Sequence, residues 1–75
     1  MLTKRHIIRT AINAEEVLST EVHSTHENLS IAVHALADIK RQFQENGDRL
    51  VDRTCGFKVL YELNEHIYEV SFLII

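Results

Sequence analysis

The stretch that most constrains this chain is its last one, where apolar residues recur at every second position. Phe57, Val59, Tyr61 and Leu63 alternate with Lys58, Leu60 and Glu62, and Tyr68, Val70 and Phe72 repeat the pattern beyond Asn64-Glu65. A period of two is the mark of a strand with one buried face. With a two-residue turn at Asn64-Glu65, Leu63 pairs with His66, Tyr61 with Tyr68, Val59 with Val70 and Phe57 with Phe72. Most of these pairs set aromatic or β-branched side chains opposite one another, and a slip of one residue would destroy the match. Asn-Glu is not the favoured Asn-Gly turn, so a longer loop is the alternative. The expected element is an antiparallel β-hairpin over about 57–74.

Before the hairpin the apolar spacing reads as helical. Ile7, Ile8, Ala11, Ile12, Ala14, Leu18 and Val22 fall within an arc of roughly 140° on a helical wheel, which predicts a helix over about 3–22 with Thr3 as N-cap. Glu15 falls inside the arc and needs a partner or an edge position. Ser24-Thr25-His26-Glu27 matches a capping box, and Leu29, Ala32, Val33, Leu36, Ile39 and Phe43 continue at helical spacing. Asn46-Gly47 supplies the stop, so a second helix is expected over about 25–45. The connection at His23-Ser24 is short enough to make the two helices antiparallel neighbours. Leu50-Val51 is a candidate short extra strand, with Thr54-Cys55-Gly56 as a turn or bulge. The predicted class is α+β, in the order ααββ: a helical hairpin followed by a β-hairpin.

Size bears on how such a domain is reinforced. The chain has 75 residues, one cysteine and no proline. A chain this short buries only about 60–65% of the surface of its unfolded form, so small domains are usually stapled or oligomeric. Cys55 has no second cysteine to pair with inside the chain. The outer face of the hairpin carries Leu60, Ile67, Leu73 and Ile75 beside Lys58, Glu62, Glu69 and Ser71. An isolated two-stranded sheet also leaves unpaired edges. These features predict a homodimer that completes the sheet, with Leu60, Ile67, Leu73 and Ile75 as interface residues; the alternative is a monomer in which a Leu50-Val51 strand covers one edge.

The candidates for chemistry are few. His6, His23, His26, His34 and His66 include one i,i+3 pair, His23 and His26, but there is no His-Glu-x-x-His and no Cys-x-x-Cys, so no metal site is assigned. In the hairpin register Cys55 lies at the end far from His66, which makes it a small buried hydrophobe rather than a nucleophile. Glu62 and Glu69 lie on an open face with no cleft, and no glycine loop is built to cradle phosphate. Neither an enzymatic activity nor a cofactor is expected. Lys4, Arg5 and Arg9 form the one basic cluster, on the predicted first helix. A net charge of −3 gives the chain no general attraction to nucleic acid, which makes a nucleic-acid-binding regulator the alternative reading. No apolar run approaches the ~20 residues of a membrane span, and no secretory leader pattern opens the chain. A cytoplasmic protein that regulates or adapts a protein partner is the expectation.

Gly56-Phe57-Lys58-Val59-Leu60-Tyr61-Glu62-Leu63, followed by Glu69-Val70-Ser71-Phe72-Leu73-Ile74, resembles the closing strands of the ParE/RelE toxin family, which also follow a helical hairpin. The family's opening β-strand and the basic segment after its last strand are not read in this chain. The resemblance therefore carries no activity and no functional residue.

Overall fold

The computed structural model describes residues 4–13 and 16–75, the side chain of Leu63 excepted. Its elements are β1 (Arg5–Asn13), β2 (Glu16–His26), α1 (Leu29–Glu45), β3 (Arg49–Arg53), β4 (Gly56–Leu63) and β5 (His66–Ile74). The strands form one antiparallel sheet in the order β2-β1-β5-β4-β3. The helix leaves the end of β2, at one edge, and delivers the chain to β3, at the other. It therefore crosses a single face of the sheet, and among the described residues no element covers the opposite face.

The closing hairpin has the register read from its alternation: Phe57↔Phe72, Val59↔Val70, Tyr61↔Tyr68 and Leu63↔His66. Asn64 and Glu65 form a two-residue turn with φ of 52° and 67°. Both values lie in the left-handed region, the requirement of a type I′ turn whose twist suits the flanking strands. The short extra strand is present as β3, which pairs along β4 from Arg49↔Leu60 to Arg53↔Gly56. Gly56 is a place where no side chain fits: a Cβ there would lie 1.9 Å from the Phe72 carbonyl oxygen.

The ααββ order is not the fold. The segment expected as a helix over about 3–22 is the hairpin β1–β2, and Thr3, Ala14 and Glu15 lie outside the described residues. The physical reason lies in how the apolar residues divide. Ile7-Ile8 and Ala11-Ile12 recur at the i, i+1, i+4, i+5 spacing of a helix. In the strand, alternation sends Ile7 and Ala11 to the helix-covered face and Ile8 and Ile12 to the open one. On β2, two register shifts leave His23 and Leu18 without partners in β1, so Val17 and Val22 come to the same face although five positions apart. A strand pair that is apolar on both faces and twice bulged thus imitates a helical arc.

One helix remains, and it starts later than the capping box implies. Asn28 is the N-cap, its side-chain oxygen accepting from the Ile31 N–H at 3.0 Å. Ser24, Thr25 and His26 instead complete β2. The stop at Asn46-Gly47 is as read, with Asn46 as C-cap and Gly47 at φ 80°.

Nor does the sheet need a second chain to be completed. β1 covers the free edge of β5 and β3 covers that of β4, so both strands of the closing hairpin are internal. The core lies under the helix: Ile7, Phe57, Val59 and Phe72 are buried, with Leu36, Ile39 and Phe43 from α1 packed on them. Phe57 and Phe72 stack with ring centres 5.3 Å apart, and Phe43 meets them at 6.2 and 5.7 Å. The bulged His23 turns its ring edge-on to Phe72 at 5.5 Å.

Candidate interaction surface

Alternation assigns every strand residue to one of two faces. Leu50, Phe57, Val59, Tyr61, Val70, Phe72, Ile74 and Ile7 belong to the helix-covered core. Their chain neighbours therefore line the opposite face, and the strand register arranges these into rows. One row runs Val22, Ile8, Leu73. The next runs Thr20, Thr10, Ser71, Lys58, Val51, and a third runs Val17, Ile12, Glu69, Leu60, Arg49. Ile75 exchanges backbone hydrogen bonds with His6, at 2.9 and 3.2 Å, which places it beside the first row. Ile67 lies at the turn end of β5, opposite Glu62.

All four residues expected at an interface, Leu60, Ile67, Leu73 and Ile75, thus share the uncovered face. Leu60 and Leu73 are half-buried among their neighbours, whereas Ile67 and Ile75 are 61% and 62% exposed. The hairpin reading missed Ile8, Ile12, Val17 and Val22, which extend the same surface onto β1 and β2. Their i, i+1 pairing with residues of the other face was the available signal. Every strand contributes at least one apolar side chain to this face.

Two pairs of polar side chains on this face bond to one another. The Lys58 Nζ donates to the Glu69 Oε1 at 3.3 Å, with side chains 21% and 32% exposed, near the middle of the rows. His6 Nδ1 and Thr25 Oγ1 are hydrogen-bonded at 2.9 Å on the same face. Lys58 and Glu69 neutralise one another near the middle of the face, while Arg49 and Glu62, also charged, lie towards its margins.

The other sequence candidates do not assemble into a site. Lys4, Arg5 and Arg9 are not on a helix: Arg5 and Arg9 are in β1, and Arg9 is 3.5 Å from Glu21. Ser24 Oγ lies between His26 Nε2 at 2.8 Å and His23 Nδ1 at 3.4 Å. Among the described residues, no three His, Cys, Asp or Glu side chains converge as metal ligands. Cys55, expected to be buried, is exposed in the β3–β4 turn because only its carbonyl, not its side chain, is engaged with Ile74. Tyr61 packs against the core from the helix-covered face. Burial raises its hydroxyl above the ordinary value of 10.0, the Asp48 carboxylate adds to this, and Arg9 opposes it. Among the described residues no helix is long and apolar enough to cross a membrane.

No protein-family model, curated protein or solved structure matches the chain. The ParE/RelE resemblance gains nothing from the structure either. Among the described residues the chain opens with a paired two-strand hairpin, and a single helix, not a helical pair, precedes the closing strands.

Proposed function

We propose that this chain is a non-enzymatic interaction module that works as a homodimer, two copies stacking their helix-free sheet faces. The observation that carries this reading is the uncovered face itself, with Ile8, Leu60 and Leu73 near its middle and Ile67 and Ile75 towards its ends. Antiparallel sheets tolerate water on one face when that face is polar, and this one is mixed on every strand. Stacking places two such faces about 10 Å apart with their side chains interdigitated. A standard interface takes about 800 Å² from each partner, roughly a seventh of the 5466 Å² surface of one chain. One sheet face is enough.

The reading replaces edge completion with face packing, since the hairpin edges are already paired within the chain. The Lys58–Glu69 pair would enter the interface already neutralised within each chain. Nucleic-acid binding has no comparable support, because Arg9 is engaged with Glu21 and Arg5 is on the helix side of the sheet.

Sedimentation velocity from low micromolar to near-millimolar protein tests the proposal. The wild-type chain should pass from monomer to dimer, and Leu73→Lys should remain monomeric with an unchanged circular dichroism spectrum. A wild-type chain that stays monomeric throughout would sink the reading.

A further inference from the structure

On the covered side, α1 does not meet the sheet evenly. A groove of about 540 Å³ runs between the helix flank and the β3–β4 turn. Leu29, Val33 and Leu36 line it from the helix, and Phe57, Ile74 and the exposed Cys55 from the sheet. Leu29 and Val33 are 50% and 49% exposed although they lie one helical turn apart on the same flank. Among the described residues, the ionisable groups at the rim are Arg5, Lys40 and the Cys55 thiol, and no carboxylate lines the groove. This is a local reversal of sign in a chain whose net charge is −3.

We propose that this groove binds a single-chain aliphatic carboxylate, its tail along Leu29, Val33 and Leu36 and its head on the Arg5 guanidinium. Three properties point to that chemistry. The volume lies within the roughly 300–1,000 Å³ of small-ligand sites, and the lining is apolar with a few polar groups at the rim. The rim cations are unequal: Lys40 is already bonded to Asp52, whereas Arg5 has no ion-pair partner among the described residues. A guanidinium is also the side chain best shaped to take a carboxylate through two parallel hydrogen bonds. A cationic amphiphile would meet the Arg5 guanidinium, a like charge, at the same rim. The site lies on the face opposite the proposed dimer contact, so the two proposals stand or fall separately.

Dodecanoate, held below its micelle concentration, is the probe. Added to the full ¹⁵N-labelled chain, it should shift the amides of Val33, Leu36, Cys55 and Ile74 saturably and slow alkylation of Cys55 by iodoacetamide. Dodecyltrimethylammonium should bind at least tenfold more weakly, and Arg5→Glu should weaken dodecanoate about tenfold by removing a charge-assisted contact. Val33→Trp, at a half-exposed position, should fill the groove and abolish binding while leaving the thermal midpoint in place. Leu73→Lys should bind dodecanoate as the wild type does. Absence of saturable shifts overturns the proposal. So do equal binding of the cationic amphiphile and shifts centred on Ile8 and Leu73 instead of the groove.

Discussion

The two faces of the sheet are woven from the same strands and carry similar apolar side chains, yet only one of them has a layer over it. Adjacent residues show the contrast most sharply. Phe72 is 3% exposed, stacked on Phe57 beneath α1, while Leu73 points away into an uncovered row with Ile8 and Val22. What separates a core residue from a candidate interface residue is therefore one step along the backbone. A domain of this size has one helix to spend on covering a five-stranded sheet. The second face, which carries apolar side chains on every strand, has no layer over it among the described residues.

Substitutions at neighbouring positions can break that contrast. Phe72→Ala removes a ring from the aromatic cluster and should cost about 3–5 kcal/mol in urea denaturation, enough to unfold much of a marginal domain. Gly56→Ala should cost about 1–3 kcal/mol, since the new Cβ meets the Phe72 carbonyl and the backbones of β4 and β5 must part. Because that clash is with backbone, it should damage both faces together. Glu65→Gly should act in the opposite direction, raising stability by about 0.5–1 kcal/mol through relief of its φ of 67°. It sharpens the contrast by strengthening the hairpin that both faces share. Leu73→Lys should change the stability of the monomer by about 0.5 kcal/mol, since at this half-buried position the lysine stem can cover the neighbours Leu73 covered while its ammonium reaches water. Equal losses from Phe72→Ala and Leu73→Lys would erase the distinction between the faces.

The smallest expected effect is one of pH. The Tyr61 hydroxyl is held above its ordinary value by burial, with Asp48 adding and Arg9 opposing. Its folded value is thus higher than its unfolded one, so its contribution to stability is complete below pH 10.0 and is lost as pH rises through the folded value. Tyr61→Phe should flatten the alkaline limb of a thermal-midpoint profile recorded above that pH.

The two hairpins also differ in how well they could be read from residues alone. β4–β5 was legible because its covered face recurs at every second residue with no bulge, its turn has two residues, and only one register matches Phe57 to Phe72. The helix stop was legible for a local reason, Gly47 being suited to φ 80°. The start was not, because Ser24 and Glu27 satisfy a capping pattern while Ser24 and Thr25 are needed in β2. β1–β2 failed for a reason that belongs to tertiary structure. Its apolar residues serve two faces, and the extra residues Leu18 and His23 shift the period midway. Ile7, Ile8, Thr10, Ile12, Val17, Thr20, Val22 and Thr25 are all β-branched, and that composition was the signal for strands. Of the candidate surface, the hairpin half was visible in the alternation. The half on β1 and β2 depended on a pairing between β1 and β5 that no local pattern announces.

The central claim is that the helix-free face meets a second copy of itself. It is tested most directly by isotope-filtered NOE spectroscopy on an equimolar mixture of methyl-labelled and unlabelled chains. Contacts between chains should join the methyl groups of Ile8, Leu60 and Leu73. A spectrum of the dimer in which the contacts between chains come from Leu29 and Val33 on α1, with none from Ile8, Leu60 or Leu73, would contradict it.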